Sequence, residues 1–282
     1  MKMMSVTFSY LCIQFVFGIS VGYGQTTDKK PYQWQKQTIN LVDQERNRRL
    51  TTDIYTPSVE NKDPNDLPLI IYSHGMLSTK AENQALLEEL AGEGFRIAAS
   101  NSPRANRADD LEDKAKDMEF LFEYMNGQAK NSIMLGYSLG SLSAILAGAE
   151  INTAGVIAIA PPTHEFERLG IPVPTPFNPE ITMIIGANDS VAPTQYSIPF
   201  AKDFTPQGDT FIIEGGTHMG FIAGWGNPAT VDAFLCQRFK RESHYPADYR
   251  CPPAKSNSIA RRAQQGQATK IVWDTLKKWN FL

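Results

Sequence analysis

Six short runs dominated by apolar residues, at 69–72, 95–99, 131–135, 155–160, 181–186 and 210–214, punctuate the chain. None is as long as an ordinary helix, and most lack the polar alternation of a half-buried strand. Such runs are expected of strands, and the continuous one at 69–72 of a strand covered on both faces. Helix-patterned stretches separate them. Residues 80–92 carry Leu86, Leu87 and Leu90 on one side and end at Gly92 and Gly94. Residues 109–125 set Leu111, Ala115, Met118, Phe122 and Met125 at three- and four-residue steps, behind Asp109 and Asp110 as acids suited to a helix start. Strands alternating with helices call for a mostly parallel sheet with helices on both faces.

Upstream, residues 37–41 and 50–55 alternate apolar and polar side chains around a polar turn, which predicts an antiparallel hairpin at one edge. Residues 257–278 read as a closing amphipathic helix with Ile259, Ala263, Ile271, Leu276 and Trp279 as core contacts. Proline-rich residues 161–180 are expected to form a loop or a small cap. The fold class is therefore α/β: a mostly parallel central sheet, antiparallel N-terminal strands, and helices on both faces.

The first residues stand apart. Lys2 precedes an uncharged apolar stretch at 6–21, and Gly22-Tyr23-Gly24 follows. That order predicts a signal peptide over 1–24 and a single domain over 25–282, secreted or periplasmic and without a stable membrane span after cleavage. The alternative is an uncleaved anchor that spans by tilting. Beyond Cys12 in that segment, the cysteines are Cys236 and Cys251. In an oxidising compartment they are expected to form a disulfide, with two buried free thiols as the alternative. Neither has a metal-ligand spacing to histidine, so no metal site is assigned. A balance of 27 basic to 30 acidic residues, with no basic cluster, gives no pull toward nucleic acid.

Residues 136–140 read Gly-Tyr-Ser-Leu-Gly between a strand-like and a helix-like run. At a strand-to-helix turn this spacing makes a nucleophile elbow: glycines relieve the clash of a sharp turn, and the serine hydroxyl projects above the sheet edge. The bland alternative is a glycine-punctuated loop with an idle serine. Serine is a weak nucleophile at neutral pH and needs a base. Among His74, His164, His218 and His244, only His218 follows a late apolar run within a glycine-rich loop, Gly215-Gly216-Thr217-His218. Asp189, just past 181–186, is placed to hold the imidazole; Asp203 and Asp209 are its rivals, one in a helix-like stretch and one ahead of a strand. His74-Gly75-Met76 follows the 69–72 strand, so the Met76 and Leu139 N–H groups are candidate oxyanion donors. His74 is expected to orient that loop and, with Met219, Phe221 and Trp225, is a candidate for the substrate pocket. The apolar members of that set serve equally well as core.

With Asp53-Ile54-Tyr55-Thr56-Pro57, Tyr72-Ser73-His74-Gly75, Arg107-Ala108-Asp109-Asp110-Leu111, the elbow, Gly186-Ala187-Asn188-Asp189 and Gly216-Thr217-His218 in this order, residues 36–240 resemble the α/β-hydrolases of the dienelactone hydrolase and platelet-activating-factor acetylhydrolase-like group. The resemblance implies the α/β-hydrolase fold, Ser138 as nucleophile, Asp189 as acid, His218 as base, and Met76 and Leu139 as oxyanion donors. Dienelactone hydrolases use a cysteine where this chain has Ser138, so their lactone substrates do not carry over. The expected activity is hydrolysis of small-molecule or lipid carboxylic esters through an acyl-enzyme, without a cofactor. A peptidase or amidase on the same fold and a catalytically silent binding module are the alternatives.

Overall fold

The computed structural model describes residues 20–22, 32–103, 110–204, 208–224, 226–255 and 257–282. The chain begins with strands β1 (Ser20–Gly22), β2 (Gln33–Asp43), β3 (Arg48–Ser58) and β4 (Leu69–Ser73), then helix α1 (Gln84–Gly92) and β5 (Arg96–Asn101). It continues through α2 (Leu111–Tyr124), β6 (Ser132–Tyr137), α3 (Leu139–Ile151), β7 (Gly155–Ile159), α4 (His164–Leu169) and β8 (Glu180–Gly186). The last elements are α5 (Thr194–Phe204), β9 (Asp209–Ile213), α6 (Pro228–Arg241) and α7 (Arg261–Lys278).

The strands lie in one sheet in the order β1-β2-β3-β5-β4-β6-β7-β8-β9. Pairs up to β3·β5 are antiparallel, and every pair from β5 onward is parallel. This is the α/β class read from the sequence. Strands β2 to β9 make an eight-stranded mixed sheet, and β1 adds a short edge to it. The three β1 residues fall in the segment expected to be a signal peptide, whose remainder lies outside the described residues. Among the described residues no helix is long and apolar enough to cross a membrane.

Alternation along β4 explains the layering. Ile70 and Tyr72 face one core with Leu86, Leu87 and Leu90 of α1 and Val272 and Leu276 of α7. Leu69 and Ile71 face the other, with Leu111 and Met118 of α2 and Leu142 and Ile145 of α3. All five β4 residues are buried, as a strand covered on both faces must be. From β4 the chain steps to β5 on one side, then crosses to place β6 on the other. That reversal opens a crevice at the carboxyl ends of β4 and β6, where ligands bind in open α/β sheets.

Several expectations need correction. Helix α1 starts at Gln84, not at residue 80, because residues 80–83 form turns. Asp110 sits at the α2 cap position without a side-chain cap hydrogen bond, and Asp109 lies outside the described residues. In α7 the buried face is Gln264, Ala268, Val272, Thr275 and Leu276; Ala263 is exposed, while Ile259, Ile271 and Trp279 pack at the margin. The buried glutamine misled the apolar reading, since it binds a backbone loop instead of facing water. Residues 161–180 contain the short α4, and Phe177 packs on Phe204 of α5 with ring centroids 4.9 Å apart. Helix α6 was not anticipated, although Asn227-Pro228 is a strong helix start: the Asn227 side chain accepts from the Ala229 and Thr230 amides.

Candidate active site

Ser138 occupies the sharp turn between β6 and α3, with φ 53° and ψ −128°. A non-glycine residue there is strained by about 1–3 kcal/mol and persists only where its surroundings hold it. Three contacts do so: Ser138 N–H donates to the Ile159 carbonyl (2.9 Å), and its own carbonyl accepts from Ser141 N–H (2.9 Å) and Ser141 Oγ (2.5 Å). The flanking glycines are a packing requirement. A Cβ on Gly136 would stand 2.1 Å from the Gly140 carbonyl oxygen, and one on Gly140 would stand 2.1 Å from that of Ser73. Only hydrogen fits at either position.

His218 lies past β9 and turns its ring onto the serine. Its Nε2 is 2.9 Å from Ser138 Oγ, and its Nδ1 is 2.8 Å from Asp189 Oδ2. A carboxylate accepts only, so Nδ1 carries the proton and Nε2 is left to accept from the Ser138 hydroxyl. The second Asp189 oxygen accepts from the Val191 (2.8 Å) and Ala192 (2.7 Å) amides, which fixes the carboxylate plane. Burial works to lower the His218 pKa, but the charge and hydrogen bond of Asp189 outweigh it and raise the value above 6.5. The rival acids are elsewhere: Asp203 is exposed, and Asp209 pairs with Lys278 (2.6 Å).

The backbone around His218 is held from three sides. Tyr137 Oη donates to the His218 carbonyl (3.1 Å), with its ring tilted on the imidazole at 5.0 Å. Gln264 of α7 accepts from Thr217 N–H (2.9 Å) and donates to the Thr217 carbonyl (2.6 Å). Asp232 of α6 accepts from the backbone N–H groups of His218 and Met219.

Met76 and Leu139 both line the cavity beside Ser138. Leu139 opens α3, so its N–H lacks an intrahelical acceptor, and among the described residues neither amide is bonded to a protein group. Glycine at residue 75 eases the approach of the β4 loop to the serine: a Cβ there would lie a tight 3.1 Å from Ser138 Cβ. Glu82 fixes this loop, its Oε1 accepting from Gly75 N–H (2.8 Å) and Tyr72 Oη (2.5 Å). His74 is fully buried: Nδ1–H donates to the Gly75 carbonyl (2.7 Å), and Nε2 accepts from Ser102 N–H (3.2 Å). Burial holds its pKa down at about 3, so it is a neutral strut in the loop.

Among the described pocket candidates, Met219 lines the cavity and His74 and Phe221 do not. His74 has both ring nitrogens occupied by backbone, and Phe221 is buried in the core under α7. Trp225 lies outside the described residues. The lining instead draws on residues that sequence reasoning passed over, including Val231, Leu235, Phe239 and Tyr245. Cys236 and Cys251 form the expected disulfide, with sulfurs 2.03 Å apart. It joins α6 to the segment carrying His244 and Tyr245. His244 Nδ1–H donates to Glu165 Oε1 (2.8 Å), and Arg168 pairs with the same carboxylate through Nε (2.6 Å). Among the described residues no group of His, Cys, Asp and Glu side chains is arranged to hold a metal ion.

No protein-family model matches the chain, and no curated protein matches it either. The fold is an α/β architecture compatible with the α/β-hydrolases, and the functional reading rests on the site itself.

Proposed function

We propose that the protein is an exported serine hydrolase of the α/β-hydrolase kind, one domain over 25–282, that cleaves carboxylic esters with a Ser138–His218–Asp189 triad. The observation that carries this is the unbroken hydrogen-bonded line from Ser138 Oγ through both nitrogens of His218 to Asp189. The line stands at the carboxyl ends of the parallel strands, beside two amides that have no partner among the described residues. The disulfide supports an oxidising compartment.

In the proposed cycle, Ser138 Oγ attacks the ester carbonyl carbon while His218 Nε2 takes the hydroxyl proton. The carbonyl π electrons move to oxygen, where the Met76 and Leu139 N–H groups offset the charge, each such donor typically lowering the barrier by about 3 kcal/mol. Collapse of the tetrahedral species breaks the bond to the alcohol oxygen, which leaves with the proton from His218. Water then attacks the acyl-enzyme, giving one proton to His218, which returns it to Ser138 as the acid departs. Asp189 keeps the imidazole in the required tautomer and balances its transient charge throughout. Ester plus water gives acid plus alcohol, using only groups of the chain.

A fluorophosphonate probe is expected to label the wild-type protein at Ser138 and to leave Ser138→Ala unlabelled. Cleavage of p-nitrophenyl butanoate should disappear with the label. Folded wild-type protein that neither labels nor turns over this ester would overturn the proposal, and aminoacyl anilide turnover without ester turnover would reassign the protein as an amidase.

A further inference from the structure

The site opens into a cavity of about 210 Å³. Of its lining residues Leu77 is 41% exposed, whereas Phe239 and Tyr245 are each 7% exposed. Leu77 therefore marks an open side, and Phe239 and Tyr245 stand on a buried one. That buried side is braced. Tyr245 Oη donates to the Val191 carbonyl (2.8 Å), two residues past Asp189, and the disulfide ties the Tyr245 segment back to α6. Its polar members offer no free charge: Glu165 is engaged by His244 and Arg168. A mostly apolar, ring-lined cavity remains.

We infer that this cavity is an acyl pocket, and that the protein acts on esters of compact apolar acids, with a short chain or a single aromatic ring. The inference rests on the proposed acylation of Ser138. Its size follows from the volume: a cavity of about 150 Å³ holds benzene, about 25 Å³ per heavy atom, so 210 Å³ holds about eight. The enclosed side suits the acyl group, because that group stays attached to Ser138 while the alcohol departs and water arrives. The leaving group requires the open side. Leu235 on α6, half-buried in the cavity wall, is the lining residue whose size tests this assignment.

The test is kcat/KM for p-nitrophenyl esters from acetate to dodecanoate, with benzoate, on the full disulfide-bonded protein. Activity is expected to hold to about eight carbons and then fall about tenfold or more by decanoate, as each misfitting methylene is felt in a closed apolar pocket. Leu235→Ala should raise the decanoate-to-butanoate ratio about tenfold, and Leu235→Phe should lower it. Two opposed variants keep the test informative should either fold poorly. If Ser138 labels with fluorophosphonate and esters are cleaved, but activity climbs through dodecanoate or neither variant moves the ratio, the acyl-pocket inference fails while the hydrolase reading stands. A length limit found only in an acetate series of increasing alcohol length would give the cavity to the alcohol and overturn the assignment. Absence of both labelling and turnover would instead sink the underlying reading.

Discussion

Asp232 Oδ2 lies 2.5 Å from the backbone nitrogen of His218, and Asp232 Oδ1 accepts the next amide, Met219 N–H, at 2.8 Å. A buried carboxylate from α6 thus sets the backbone from which the imidazole reaches Ser138. Burial and then the charge of Asp189 raise the Asp232 pKa, while the two amide bonds oppose the rise. Asp232→Ala strands two buried donors, a loss of about 1–3 kcal/mol each, and frees the loop to shift. We expect kcat for ester hydrolysis to fall about 10–100-fold, with a smaller rise in KM because Met219, whose amide Asp232 also holds, lines the cavity. Asp232→Asn keeps an acceptor and the shape, so it should fall between. Native kcat in a folded Asp232→Ala protein would remove the positioning role.

The His218–Asp189 pair predicts a pH profile. His218 must be neutral to take the Ser138 proton, and its pKa lies above 6.5 once Asp189 outweighs the burial effect. Activity should therefore fall as pH drops through a value above 6.5. A raised histidine pKa also stabilises the fold below the unfolded value, a contribution lost as pH rises through the folded one. Asp189→Asn removes the raising charge, so the acid limb should move to lower pH, and kcat should fall about 10⁴-fold through loss of the correct tautomer. Profiles of kcat/KM for both proteins check this; an unmoved limb would separate Asp189 from His218.

The layering and the three aligned side chains were legible because their signals are local. Each parallel strand carries a run dominated by apolar residues, although the edge strand β9 leaves Phe211 and Ile212 exposed, and Gly136, Gly140 and Gly216 mark turns where backbones approach closely. Residues that act across the fold carried no such mark. Glu82 falls in a helix-patterned stretch and Asp232 in a segment without a motif, and only their backbone amide partners identify them. Gln264 disguised the buried face of α7 because it is satisfied by Thr217, 47 positions away. The cavity wall from α6 and Tyr245 was illegible for the same reason: its apolar residues are scattered among charges in a segment without a strand to anchor the reading.

Glu82 is expected to matter through the loop it holds. Its Oε1 fixes Gly75 N–H, and its backbone carbonyl accepts from Ala223 N–H (2.9 Å), which links the Met76 loop to the chain after His218. Glu82→Ala should lower kcat about tenfold or more, and Glu82→Gln, which keeps an acceptor, should restore most of it. Burial raises the Glu82 pKa to about 7, against bonds from Ser78, Tyr72 and Gly75 and the charge of Lys114. The sign makes the protein most stable with Glu82 protonated, so stability present below pH 4.5 is lost as pH rises toward 7. Denaturation at pH 5 and pH 8 should show a drop of about 3 kcal/mol in wild type relative to Glu82→Gln. Equal pH dependence in the two proteins would mean that Glu82 is not the group responsible.

The disulfide links stability to the pocket. It closes a local loop with a sequence separation of 15 and holds the Tyr245 segment against α6. By chain entropy such a loop contributes about 3 kcal/mol. Reduction, or Cys236→Ser with Cys251→Ser, is therefore expected to lower Tm by roughly 6–12 °C for a chain of this length. Loosening the segment should also blur the buried side of the cavity, raising KM for the best short-acyl ester more than it lowers kcat, because Ser138, Asp189 and His218 follow β6, β8 and β9 and α6 reaches them through Asp232 alone among these contacts. Thermal scans with and without reductant, paired with KM at a temperature where both forms stay folded, separate the two effects. A fall in kcat at unchanged KM would instead mean that the bridge supports Asp232 and the imidazole more than the pocket wall.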